Sequence, residues 1–210
     1  MTKGITKGER TRLEIVKRAA PLFNRQGYHG TAISDLMRET KLQKGGIYRH
    51  FHSKEQLARA AFDYAWQIAS KNRLQSLDGV SNRVDRLKQF VANFVERRSD
   101  CVPGGCPLLN AAIEADDGNP ALRTRARRAL GEWLKRIETL VIEGVARREI
   151  NREVNPREVA GLLVATLEGA LMISRLTGND QALRTAKRHL HSYLEADVRI
   201  PKLSPELSRR

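Results

Sequence analysis

One segment constrains the fold of this 210-residue chain more than any other: Q-K-G-G-I-Y-R-H-F at 43–51, followed at once by H-S-K-E-Q-L. It comes directly after another short predicted helix, which is the layout of a helix-turn-helix. The two glycines let the backbone approach another surface closely. The lysines, arginine and tyrosine offer groups that suit phosphates and base edges. The pattern therefore predicts a helix-turn-helix that binds DNA.

The candidate DNA contacts lie in this segment and at the starts of the neighbouring helices. Lys44 and Tyr48 are the preferred direct contacts, whereas Ile47 and Phe51 are expected in the core. Amides and hydroxyls at helix N-termini can hold a phosphate, which adds two further positions. The full predicted set is Thr31, Lys44, Gly45, Gly46, Tyr48, Arg49, His50 and Lys54.

The charge of the chain points the same way. The net charge is +14, and it is concentrated near the N-terminus. Residues 1–54 carry 12 Lys/Arg against 4 Asp/Glu, a balance of +8, whereas residues 55–210 carry 26 against 20, or +6. A basic region around a helix-turn-helix favours an anionic partner such as double-stranded DNA.

The sequence contains few signals of cellular compartment or of disulfide bonding. No apolar run follows Met1, and the longest apolar stretch, 161–173, contains Glu168 and is too short to span a bilayer. Cys101 and Cys106 do not form a disulfide framework. These features predict a cytoplasmic protein with no membrane association.

Start and stop signals for helices recur along the chain, and no strand alternation is found. A first helix is expected over Glu9–Gln26, with Gly27 ending it. Thr31 is expected to cap the second helix. Ser53 is expected to begin the fourth helix, where Gln56 completes a capping box.

The rest of the chain repeats these signals, so the predicted fold is all-α. Asn119-Pro120 and Asn155-Pro156 each pair a cap with a first-turn proline, and a last helix is expected from about Asp180 to Glu195. Three regions are predicted: a helix-turn-helix domain with a basic arm at 1–54, a helical regulatory and dimerisation domain at 55–197, and a disordered tail at 198–210.

The helix after Asn155 is apolar on almost every side, so both of its faces require cover. One face can pack on the core of its own chain. The other carries small residues that allow close approach of another helix, which favours a homodimer. The predicted interface residues are Gly161, Ala165, Gly169, Met172 and Leu190.

A ligand pocket is expected in the second domain, because pockets are typically apolar with a few orienting polar groups. Glu114 and Glu168 stand on otherwise apolar helices and either orient a ligand or pair with an arginine such as Arg175. The predicted effector is a mainly apolar small molecule. The candidate pocket residues are Phe90, Phe94, Leu108, Asn110, Glu114, Trp133, Leu167, Glu168 and Met172.

Residues 10–60 resemble the tetracycline-repressor (TetR) family of transcriptional regulators. The resemblance is carried by Phe23, Gly27, Thr31, Gly45, Tyr48, His50, Phe51, Ser53, Lys54 and Leu57. It implies an all-helical homodimeric repressor with an N-terminal helix-turn-helix and a ligand-binding core. Lys41 stands where the family usually has glycine, so Lys41 is expected to adopt a left-handed conformation at a cost on the order of 1 kcal/mol.

Other function classes remain open at this point. Cys106 precedes Pro107 at a predicted helix N-terminus, where a thiol can become reactive, so a thiol-switch regulator is the first alternative. A small cysteine-dependent enzyme is disfavoured, because no histidine is paired with either cysteine. A sequence-independent architectural DNA protein is the third. His50 and His52 do not share a helix face, so neither a metal nor another cofactor is expected.

Overall fold

A computed structural model describes residue 4 and residues 6–96, 101–115 and 119–201. Within those ranges the chain forms no strand, only an isolated bridge between Ile150 and Arg199, and the all-α prediction is confirmed. The helices are α1 (Lys7–Gly30), α2 (Ile33–Thr40), α3 (Lys44–Tyr48), α4 (Lys54–Leu74), α5 (Arg83–Glu96), α6 (Pro107–Ala115), α7 (Pro120–Ala146), α8 (Pro156–Thr177) and α9 (Gln181–Tyr193), followed by a π-helical turn at Leu194–Val198.

The helices form two compact units that alternate along the chain. The first comprises the described residues of Met1–Asn72 and Arg97–Gly131, and the second those of Arg73–Glu96 and Glu132–Arg210. The division therefore falls near the end of α4 and inside α7. The predicted border at residue 54 marks the start of α4.

The first unit is built around α1, α2 and α3. Thr6 caps α1 in a capping box with Glu9, which satisfies amides that the first helical turn leaves without partners. Ile47 and Phe51 are buried, as predicted, with the apolar face of α1 and the start of α4. This packing fixes the short helix α3, which is too short to be stable alone.

One predicted helix cap is wrong, and a predicted capping box is formed only in part. Ala32 is the N-cap residue of α2, and Thr31 is fully buried with its hydroxyl donating to the Gly27 carbonyl at 2.7 Å. The expected Thr31 cap is therefore wrong. Ser53 does accept from the Gln56 amide at 3.1 Å, whereas the Gln56 side chain accepts from the His52 amide rather than from Ser53.

Backbone conformation sets both turns of the first unit. Gly27 has φ 75° and ψ 174°, so the regular helix ends there as predicted, although helical hydrogen bonding resumes through Gly30. Lys41 adopts φ 58° and ψ 29°, the left-handed conformation expected for the turn between α2 and α3.

The second unit packs α5, α8 and α9 together. Asn155 caps α8 by accepting from the Arg157 amide, Pro156 occupies the first turn, and Gly178 ends the helix in the left-handed conformation. The core includes Phe90, Leu163, Leu167, Leu183 and Leu190, all of them buried. The apolar stretch at 161–173, expected to be too short to span a bilayer, lies in α8, which is long and apolar enough to cross a membrane by length and composition alone, with a mean hydropathy of 1.6. The core helix of a soluble protein has the same length and composition.

Part of the predicted tail is structured. Val198 is fully buried, and the Asn151 amide donates to its carbonyl at 2.9 Å. Arg199 binds Glu195 at 2.6 Å and also pairs with Asp85. The disordered tail predicted at 198–210 is therefore wrong for 198–201, and its remaining residues, 202–210, lie outside the described ranges.

Candidate DNA-binding and regulatory sites

Helix α3 presents a small cationic surface. Lys44, Gly45 and Arg49 are exposed, and Tyr48 is half-buried with its ring centroid 6.0 Å from Lys44 Nζ. A side chain at Gly45 would meet nothing within 4 Å, so the backbone there is open to a partner. The structure thus brings Lys44 and Tyr48 close together, leaves Arg49 exposed, and half-buries Gly46 near Leu42.

Arg12 supports this surface from α1. Its Nη1 donates to the His50 carbonyl at 3.3 Å, and its guanidinium lies 4.2 Å from the centre of the Phe51 ring. His50 is half-buried beside it. The sequence gives no local sign of this contact, because Arg12 approaches the residues that follow α3 only in the folded bundle.

Thr31 and Lys54, both predicted to contact phosphate, are not exposed. Thr31 is fully buried, so its side chain is not available to a phosphate and its predicted DNA contact is wrong. Lys54 is half-buried with its Nζ 4.5 Å from the centre of the Tyr28 ring. Burial lowers the pKa of the Lys54 ammonium, and the nearby Glu114 carboxylate partly opposes that shift.

A polar network joins α6 to α1 within the first unit. Asn110 Nδ2 donates to the Asn24 carbonyl at 2.8 Å and to the Gly104 carbonyl at 2.9 Å. Asn24 Nδ2 in turn donates to the Pro103 and Gly105 carbonyls, both at 3.1 Å. Asn110, predicted to line a ligand pocket, therefore orders the loop that precedes α6.

A cavity of about 40 Å³ lies beside this network. Drug-sized ligands occupy pockets of roughly 300–1,000 Å³, so this cavity is too small for one as it stands. The residues that line it are Ala20, Phe23, Asn24, Tyr28, Ala58, Ala61, Phe62, Ala65, Pro107, Asn110, Ala111, Glu114 and Leu122.

The second unit contains a buried charge pair against aromatic rings. Arg73 Nη2 lies 3.7 Å from Glu168 Oε1, with side chains only 8% and 11% exposed. The Arg73 guanidinium lies 4.2 Å from the centre of the Trp133 ring and 4.7 Å from that of Phe94. Phe90 is the third ring, 6.0 Å from Trp133. Of the two roles expected for Glu168, pairing with an arginine is found, and that arginine is Arg73 of α4.

The predicted pocket residues fall into both units. Leu108, Asn110 and Glu114 belong to the first, and the remaining six to the second. Leu108 and Leu167 are buried core residues. Met172 is 46% exposed, so its predicted place inside a pocket is wrong for the single chain.

An apolar surface runs along α8. It comprises Leu162, Ala165, Gly169, Met172, Ile173 and Leu176, of which Leu176 is 81% exposed and Gly169 half-buried. Gly161 is half-buried beside it. Leu190, also predicted for the interface, is instead fully buried in its own chain, so it is unavailable to a partner. We call this surface the α8 stripe.

Neither Cys101 nor Cys106 forms a disulfide bond. Cys106 is 3% exposed and immediately precedes α6, whereas Cys101 is half-buried. Among the described residues, no group of three His, Cys, Asp or Glu side chains could hold a metal ion.

Comparisons with known proteins agree with this architecture. The family model "Bacterial regulatory proteins, tetR family" matches residues 15–61, and "Tetracyclin repressor-like, C-terminal domain" matches residues 84–190. A TetR transcriptional regulator from Chloroflexus aurantiacus is 47% identical, with a TM-score of 0.89 over 93% of this chain and 99% of that one.

Two more distant relatives extend the comparison. A TetR-family regulator from Cytophaga hutchinsonii is 33% identical, with a TM-score of 0.90 over 95% of this chain and 100% of that one. The transcriptional repressor DhaR of Mycobacterium sp. is 26% identical over 173 residues, 82% of this chain and 86% of the relative. This chain, with its helix-turn-helix and helical C-terminal domain, belongs to the TetR family of DNA-binding transcriptional regulators.

Proposed function

We propose that the protein is a homodimeric repressor whose two α3 helices bind successive major grooves of a palindromic operator. The observation that supports the proposal is the exposed Lys44, Gly45 and Arg49 and the half-buried Tyr48, next to a buried three-helix core. Helix-turn-helix dimers bind half-sites about 34–36 Å apart, so the operator should be a palindrome with that spacing. The repressor named among the relatives supports repression.

The direct experiment is a binding assay on the DNA flanking the gene of this protein, with a random duplex as the control. We expect specific binding that weakens steeply as salt rises, because phosphate contacts release counterions. Equal affinity for the random duplex would favour the architectural DNA protein instead.

Dimerisation through the α8 stripe supports this arrangement. From Leu162 to Leu176 the exposed apolar residues extend for about 21 Å of helix. Large exposed apolar patches commonly mark protein–protein interfaces. A second copy of the chain covers the stripe in this proposal.

Control by a small, mainly apolar effector bound in the second unit completes the proposal. The aromatic residues Phe90, Phe94 and Trp133, with Arg73 and Glu168 among them, supply apolar surface and polar orienting groups. Such a ligand releases DNA only if it binds the released form more tightly, with a usual coupling of about 1–3 kcal/mol.

A thiol switch at Cys106 is the second candidate. It is favoured by one observation: Cys106 directly precedes α6, whose Asn110 and Glu114 bind the end of α1. A modified Cys106 would push on that helix. In this account the protein is a cytoplasmic regulator and not an enzyme.

A further inference from the structure

The pair formed by Arg73 and Glu168 is looser than its burial would suggest. Charge-assisted hydrogen bonds are usually about 2.7–2.9 Å long, whereas the nitrogen–oxygen distance here is 3.7 Å. Both side chains are nearly inaccessible, and removing charges from water is costly unless the geometry is close. Arg73 therefore makes an ion pair but no close hydrogen bond with Glu168, and a smaller cation could lie nearer to that carboxylate.

The aromatic side chains complete a set of groups that recognises cations. The Phe94 and Trp133 rings are nearly parallel, at 12°, with centroids 6.0 Å apart. The Arg73 guanidinium lies within about 6 Å of both ring centres, which is the range of cation–π attraction. Ring faces with a carboxylate are the groups that bind amidinium and quaternary ammonium ions in proteins.

The backbone at the end of α4 is held independently of the guanidinium. Asn93 Nδ2 donates to the carbonyls of Arg73 at 3.1 Å and Gln75 at 2.8 Å. The Arg73 side chain can therefore change rotamer while its backbone stays anchored. Arginine has a long, flexible stem, so such a change is feasible.

We propose that Phe94, Trp133 and Glu168 form a recognition site for a small organic cation, and that Arg73 is the internal occupant which this cation displaces. The inference rests on the proposed effector control and narrows its ligand to a mainly apolar molecule with one cationic group. Arg73 stands one residue before the end of α4, so displacement changes the contacts of the helix that begins at Lys54.

Three probes of matched size test the charge: benzamidine is a cation, benzamide is neutral and benzoate is an anion. The full-length protein is titrated with each up to millimolar concentration, following the fluorescence of its two tryptophans and its melting temperature. We expect benzamidine to bind at least about tenfold more tightly than benzamide, because the amide lacks the charge that Glu168 and the rings attract. Preference for benzoate, no preference, or no binding of benzamidine overturns the proposal.

Variants locate the site. Glu168→Gln should abolish the preference for benzamidine, whereas Glu153→Gln, at an exposed glutamate of the same unit, should retain it. Arg73→Ala removes the guanidinium that occupies the site, so benzamidine should bind this variant more tightly than the wild type. Weaker binding to Arg73→Ala, or loss of preference in Glu153→Gln alone, contradicts the assignment. If Glu168→Gln or Arg73→Ala fails to fold, the comparison of the three probes on the wild-type protein tests the proposal.

Operator release separates this inference from the proposed function. If a neutral or anionic compound releases operator DNA and benzamidine does not bind, effector control stands and the cation site is wrong. If benzamidine binds but the protein never binds an operator, the cation site stands and the repressor is wrong.

Discussion

The Glu114 carboxylate accepts a hydrogen bond of 2.8 Å from the His29 amide, so α6 binds the end of α1 directly. The contact depends on Gly27, because a β-carbon there would lie 2.6 Å from Glu114 Oε1. A movement of α6 would therefore displace the end of α1, and α2 and α3 pack on α1. Glu114, which also lines the cavity of the first unit, thus links α6 to α1 within that unit.

Replacement of Gly27 by alanine tests this link. The backbone at φ 75° and ψ 174° is essentially restricted to glycine, so Gly27→Ala should cost about 1–3 kcal/mol of stability and displace Glu114. Thermal unfolding measures the loss. Gly45→Ala is the control, since its β-carbon meets nothing within 4 Å. Equal melting temperatures for the two variants would refute the strain at Gly27.

The α8 stripe predicts the oligomeric state. Gly169→Glu places a charge in the proposed interface, and a β-carbon at this position meets nothing within 4 Å in the single chain, so the variant should give helical monomers. Gly131→Glu on α7, where an added β-carbon also meets nothing within 4 Å, should remain dimeric. Light scattering with circular dichroism makes the comparison. A wild-type protein that is monomeric at micromolar concentration would rule out the dimer.

Thiol control is expected to be absent, because Cys106 is only 3% exposed. Oxidants and electrophiles should leave wild-type operator binding unchanged in a gel-shift assay. The opposite result would be release in the wild type and in Cys101→Ser, together with resistance in Cys106→Ser. That pattern would identify Cys106 as the sensor.

His191 predicts a dependence of stability on pH. Burial lowers the pKa of its imidazole below 6.5, aided by Lys88 and Lys187 and opposed by Glu96 and the Lys88 carbonyl. The unfolded chain therefore binds a proton more readily, so the stabilisation present above pH 6.5 is lost as pH falls through the folded pKa. His191→Gln should show a shallower fall in melting temperature on acidification than the wild type. An unchanged slope would assign the acid sensitivity elsewhere.

The sequence predicts the local features of the DNA-binding unit well, because they depend on neighbouring residues. The buried Ile47 and Phe51 and the Ser53 cap are found, and so is the left-handed Lys41, which the family resemblance implied. Thr31 does not cap α2, because the helix begins one position later than expected and Ala32 is its N-cap residue.

Contacts between distant segments could not be predicted in this way. Glu168 pairs with Arg73, and Asn110 binds Asn24, although nothing in either segment marks its partner. Leu190 was expected at the dimer interface but is buried, and Met172 was expected in a pocket but is exposed. Helical periodicity identifies apolar faces, but it does not indicate which of those faces the chain itself buries.

The central claim is that α3 reads the operator, and an affinity titration of matched variants tests it most directly. Lys44→Ala and Tyr48→Ala should each weaken binding by about 1–3 kcal/mol, and Lys44→Ala should reduce the slope of log affinity against log salt by about one. Lys71→Ala, which removes an exposed lysine from α4, should bind as the wild type does. If both α3 variants form folded dimers and keep the wild-type affinity and salt slope, the claim that α3 binds the operator is contradicted.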